Sequence, residues 1–147
     1  MNSNQKAINF LYISGEAKNI VKRIDENKYL DLQLGETTRL DLFLFAIALG
    51  LETLPTELIQ KDTFIRDEYV TTKYEAFLYS LFAHLLNDKK NIDEIIYKDK
   101  VYELAQKYAN TGFSLIGEMM NSKPESVSVL EMVAEMDQEY NKYFSQQ

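Results

Sequence analysis

The stretch "RLDLFLFAIALGLE", residues 39–52, is the most apolar segment of the chain and constrains its fold more than any other. Leu42 to Leu49 run without a polar interruption, and Gly50 and Glu52 close the segment. Such a run is too short to span a bilayer, which takes about 20 apolar residues in a helix. A helix that is apolar all round must be wrapped by other elements on most of its sides. A buried strand is the competing reading of a short apolar run. Leu, Ala and Phe dominate, and Ile47 is the sole β-branched residue of the run, so propensity favours a helix over 38–49. Thr38-Arg39-Leu40-Asp41 has the spacing of a capping box, with Asp for the usual Glu. Gly50 suits the left-handed position that follows many helix ends.

Helical spacing recurs along the chain. Ile8, Leu11, Tyr12, Ile20, Val21 and Ile24 predict a first helix over 4–27, broken or kinked at Ser14-Gly15. Leu30, Leu32 and Leu34 alternate in the connection that follows, a pattern open to a short extended segment. "LETLPTELIQKDTFI" is irregular, with Pro55 setting a turn. Val70, Tyr74, Phe77, Leu78, Leu81, Phe82 and Leu85 share one face of a helix over 67–87. A long helix over 98–121 points Val101, Leu104, Ala105, Tyr108, Ala109, Gly112, Leu115, Ile116 and Met119 inward. Gly112 and Ala109 on that face allow a neighbouring helix to approach closely. Capping signals precede two later segments, Asn91 with Glu94 and Ser128 with Glu131. The last helix reaches Phe144 with Val129, Val133, Met136, Tyr140 and Tyr143 as its apolar stripe. No repeat, linker or low-complexity tract divides the chain. The expectation is an all-α single domain, 1–147, of five to six helices around the central apolar helix at 38–49.

Charge and composition narrow the function classes. The chain has 147 residues and a net charge of −7, which disfavours direct binding to a phosphate backbone. It has no cysteine, so disulfides, thiolate catalysis and cysteine-held metals are excluded. The start "MNSNQKAINFLYIS" lacks the charged and apolar regions of a secretory signal. A cytoplasmic protein away from the membrane is therefore expected.

Chemistry-bearing residues are sparse. His84 is the single histidine, placed late in its helix where the dipole favours it, and no partner marks it as a base. Glu131, Glu135 and Glu139 are spaced by four, as in the acidic helices of all-α phosphohydrolases that hold magnesium. The facing helix offers only Glu103 and Glu118, far apart. Neither a phosphate loop, a nucleophile elbow nor a zinc-protease motif is present. Tyr69, Tyr74 and Tyr79 are spaced by five and spread around their helix, so they form no stacking platform. Catalytic, cofactor-binding and metal residues are consequently expected to be none. Met119 and Met120, with Met132 and Met136 further on, are candidates for a partner surface, because methionine adapts to many shapes.

Three stretches taken together carry a family resemblance: residues 39–52, a polar gap holding "IQKDTFIRDEY" at 59–69, and residues 102–120. Asp41, Phe43, Ala46, Ala48, Leu49 and Gly50 form a D-x-F-x-x-A-x-A-L-G helix, and Tyr108, Ala109, Asn110 and Gly112 form Y-A-N-x-G in the chain's later half. The pattern resembles the small bacterial proteins associated with Dnd-type DNA phosphorothioation systems, which neighbour phage-defence and restriction modules. That resemblance implies a defence-associated accessory protein without an enzymatic site. Asp41, Tyr108, Asn110 and Gly112 are the motif positions of interest. Asn110 also has a local reading: an asparagine inside a helix is unfavourable unless its amide finds partners, which could be backbone groups at a kink beside Gly112 or a loop such as 53–66, with contact to a ligand as the alternative.

The function expected is a non-enzymatic interaction or regulatory subunit that acts through a protein partner, with homo-oligomerisation open to the same surfaces. The alternatives are a metal-dependent phosphohydrolase using Glu131 and Glu135, and a small-molecule sensor with a tyrosine-rimmed pocket.

Overall fold

The computed structural model describes residues 9–27, 29, 36–87, 98–122 and 129–144. The chain forms a strand β1 (Phe10–Ile13), helices α1 (Gly15–Asn27) and α2 (Glu36–Gly50), and a second strand β2 (Asp62–Arg66). A single 3-10 turn at Asp67–Tyr69 leads into α3 (Thr72–Asn87), then α4 (Lys98–Ser122) and α5 (Val129–Phe144). The fold is largely all-α, with five helices and one small two-stranded sheet among the described residues.

The sheet corrects the expected first helix. Leu11 and Tyr12 fit helical spacing with Ile8, yet Phe10–Ile13 is extended and alternates half-buried with buried side chains. It pairs antiparallel with β2, Phe10 opposite Arg66 and Ile13 opposite Asp62. The register shifts between Leu11, opposite Ile65, and Tyr12, opposite Thr63, which leaves Phe64 as the extra residue of a bulge. Strict alternation would turn one of Phe64 and Ile65 outward. The bulge lets both be buried.

Helix α1 begins where the sequence hinted at a break. Ser14 is its N-cap: the Ser14 hydroxyl accepts the Ala17 N–H at 3.1 Å and the Ser14 carbonyl accepts the Lys18 N–H at 3.0 Å. Ala17, Ile20, Val21 and Ile24 then fall on one buried face.

Helix α2 confirms the helical reading of the apolar run, with different ends. It already runs at Glu36, so Thr38 lies inside it and does not cap it. Gly50 does not take a left-handed φ. The helical bonding continues past it, the Leu51 N–H reaching the Ile47 carbonyl at 2.9 Å. Leu40, Leu42, Phe43, Ala46 and Ile47 are buried, while Asp41 and Ala48 are exposed and Phe45 half-buried. One strip of α2 is therefore left uncovered among the described residues.

Its main neighbour is α4, and the two helices meet backbone to backbone. A Cβ on Gly50 would overlap the Tyr108 carbonyl, and a Cβ on Gly112 would overlap the Ala46 carbonyl. Only glycine fits at either point. The inward face of α4 is broader than the spacing predicts. Val101, Ala105, Ala109, Gly112 and Ile116 are buried as expected, and Tyr102, Gln106, Phe113 and Met120 join them. Leu104, Tyr108 and Met119 are only half-buried.

The core is one contiguous cluster drawing on β1, α1, α2, β2, α3 and α4. Phe64 joins its layers, 6.3 Å from Phe43 and edge-on to Phe113 at 6.1 Å. On α3 the buried stripe narrows to Leu78 and Phe82, and Phe77 is exposed. The expected extended segment at Leu30–Leu34, the Asn91 and Ser128 caps, and the side chains of His84 and Leu85 lie outside the described residues. No helix among the described residues is long and apolar enough to cross a membrane.

Candidate functional site

Three polar clusters are held by the core, and a separate set of apolar side chains is left outside it. Tyr108, Asn110 and Gly112 come together with Ala46 and Gly50 at the crossing of α4 with α2. The Tyr108 ring stacks on Phe82 at 5.9 Å. Asn110 faces outward to the loop that follows α2. Its amide donates to the Thr56 hydroxyl at 2.9 Å and to the Glu57 carbonyl at 3.1 Å. The Thr111 hydroxyl donates to the Leu54 carbonyl at 2.7 Å, and the Thr56 N–H reaches the Lys107 carbonyl at 3.2 Å. Lys107 bonds to Glu57 at 2.9 Å and to Glu103 at 3.4 Å. The Glu57 hydrogen bond raises the Lys107 pKa, and burial opposes it more weakly. The loop is thus strapped along α4, and of the partners open to Asn110 it is the loop, through the Thr56 hydroxyl and the Glu57 carbonyl, that its amide meets. Thr56, Glu57, Lys107 and Thr111 carry no sequence signal of this role, because their partners are more than 40 residues away.

The strap leaves two large apolar side chains outside. Leu54 is 79% exposed and Ile59 77% exposed. Gln60, next to Ile59, takes a left-handed φ of 57°, which a non-glycine residue adopts at a cost of about 1 kcal/mol or more. The Gly15 N–H holds the turn by donating to the Ile59 carbonyl at 3.2 Å.

A second cluster joins the 3-10 turn to the start of α4. Asp67 accepts from Lys98 Nζ at 2.8 Å and from the Tyr102 hydroxyl at 2.7 Å. Lys98 also sits 5.3 Å from the centre of the Tyr102 ring. Burial, then the bond to Asp67, push the Tyr102 hydroxyl far above its ordinary pKa. Burial works against the charge on Lys98, but the hydrogen bond and charge of Asp67 together raise its pKa. All three groups are engaged with one another, so the cluster fixes α4 to the turn. In the third, the buried Gln106 side-chain oxygen accepts the Tyr12 N–H at 2.9 Å and serves β1 where a third strand would.

The other motif residues lie elsewhere. Asp41 is on the open strip of α2, where its carboxylate accepts the Tyr74 hydroxyl at 3.3 Å and its charge raises the Tyr74 pKa. Met120 is buried in the core and Met119 is half-buried against it, so the methionine surface expected there does not form. Among the described methionines it is Met136 on α5 that is exposed, at 49%, with Val133 at 55% and Tyr140 at 60%. Residues 133, 134 and 136–142 step round the helix at about 100° each and all are exposed. Over this length α5 has no covering element among the described residues.

No group of three or more His, Cys, Asp or Glu side chains that could hold a metal ion occurs among the described residues. The side chains of Glu131 and Glu135 lie outside them. Compared with known proteins, the chain matches no family model, no curated protein and no solved structure.

Proposed function

We propose that this chain is a non-enzymatic protein-interaction subunit that works as an accessory or regulatory component of a bacterial phage-defence or DNA-modification system, in the cytoplasm. The observation that carries the reading is α5. The residues of its apolar stripe, Val133, Met136 and Tyr140, are about half exposed or more, on a helix whose described side chains between 133 and 142 are all exposed. A stripe of that kind is costly to leave wet and is the usual mark of a partner surface. The defence context rests on the resemblance of the residues at the α2–α4 crossing alone. Those residues hold the fold together, and α5 is the surface offered to a partner.

The test is affinity capture of the tagged full chain from its native cell extract, followed by mass spectrometry, in parallel with Met136→Glu. A stoichiometric protein that the variant loses is the expected result. A wild-type chain that elutes as a partner-free monomer overturns the proposal.

A further inference from the structure

We propose that α5 docks against a basic amphipathic helix of its partner protein, an inference that rests on the interaction reading above and names the partner's chemistry. Two observations carry it. The first is spacing. Val133, Met136 and Tyr140 are separated by three and then four residues, the a, d, a pattern of a coiled-coil seam, and the sequence continues it to Val129 and Tyr143. That narrow two-position stripe is the spacing of a seam with another helix at a shallow crossing angle. The second is charge. In that register Asp137 takes an e position and Glu139 a g position, both acidic and exposed, while the sequence places Leu130, Met132 and Phe144 at the other e and g positions of the helix, so the charged border lies beside Met136 and Tyr140. Lys142 is the one basic residue of α5, at 4.0 Å from Glu139 and away from the seam. Four acids stand against that lysine over Val129–Phe144. Residues at e and g choose the partner by charge. A second copy of this chain would bring an equally acidic helix, and each whole chain carries −7. The occupant that complements the seam is a helix with apolar a and d positions bordered by Lys or Arg.

The probes are two fluorescent heptad peptides of about 21 residues, both with Ile at a and Leu at d, one with Lys and the other with Glu at e and g. Binding to the full-length chain is read by anisotropy. The Lys peptide is expected to bind about tenfold more tightly than the Glu peptide, a preference that weakens with salt. Met136→Glu should abolish binding with an unchanged circular dichroism spectrum. The double variant Asp137→Lys with Glu139→Lys should reverse the preference. Equal binding of the two peptides, or binding of neither, overturns the inference. So does a wild-type dimer in sedimentation that Met136→Glu dissociates, since the occupant is then a second copy. If capture from extract finds a partner lost in Met136→Glu while the peptides show no preference, the charge class alone fails. If capture finds no partner, the interaction reading fails with it.

Discussion

Gly112 on α4 rests on the carbonyl of Ala46 on α2, so close that a methyl group in place of its hydrogen would overlap the oxygen. Gly50 repeats the relationship one turn further along α2, against the Tyr108 carbonyl. The two glycines set the distance between the helices and, through it, the position of Asn110 and the loop it holds.

Gly112→Ala tests that crossing. In an isolated helix the change would stabilise by about 1 kcal/mol. Here the helices must separate to admit the methyl, and overpacking that shifts side chains and backbone costs about 1–3 kcal/mol, occasionally more. A net loss of about 2 kcal/mol or more in urea unfolding is expected. A variant as stable as the wild type would mean that the helices are further apart than described.

Asn110→Ala removes the two bonds from the α4 amide to the loop. Each exposed or half-exposed hydrogen bond contributes about 0.5–1.5 kcal/mol, so a loss of about 1–2 kcal/mol is expected. The informative readout is hydrogen exchange. The Thr56 amide should lose protection while amides in the middle of α4 keep theirs. Unchanged exchange at Thr56 would show that Thr111 and the Lys107–Glu57 pair hold the loop without Asn110.

Alkaline pH should act through the cluster at Asp67. The Tyr102 hydroxyl holds its proton more tightly in the folded chain than at its ordinary value of 10.0, first because it is buried and then because it donates to Asp67. Unfolding therefore releases a proton above that value. The stabilisation is fully present below about pH 10 and declines as pH rises beyond it. Lys98 has a raised pKa as well and adds to the decline in the same direction. Tyr102→Phe should cost about 1.5–3 kcal/mol at neutral pH, the range for a hydrogen bond to a charged group, and flatten the fall in stability above pH 10. A Tyr102→Phe chain with the same alkaline profile as the wild type would rule out this origin.

Substitutions on α5 should leave stability alone. Val133, Met136 and Tyr140 are about half exposed or more, so Met136→Glu should change the unfolding free energy by no more than about 0.5 kcal/mol. A loss above 2 kcal/mol in thermal or urea unfolding would show that the stripe is packed against the rest of the chain.

Much of the helical skeleton is legible from spacing. The period over 98–121 predicts α4 to within one residue at its C-terminal end, and the apolar run predicts α2 within two residues at its N-terminal end and one at its C-terminal end. Residues 67–87 also read as a helix, although its first turn is a separate 3-10 turn. The small sheet is not legible. Phe10–Ile13 shares apolar residues with the helical pattern around it, and nothing local separates the two readings. The polar straps escape for the same reason. Thr111 and Lys107 look like ordinary surface residues of a helix until the loop lies against them.

What the sequence by itself determined was where helices form, because a helix bonds each N–H to a carbonyl four residues away and its buried face recurs at the same local period. It also determined the acidic, cysteine-free character of the chain and the heptad stripe of α5. Tertiary structure alone decided that Phe10–Ile13 is a strand, since its ladder partners on β2 lie some fifty residues away and Gln106 on α4 takes the Tyr12 N–H. It decided that Gly50 serves close approach and not a left-handed turn, because that role depends on Tyr108 lying opposite. And it decided which methionine faces solvent: Met120 and Met136 have equally apolar side chains, and only the packing of neighbouring elements covers the first and leaves the second wet.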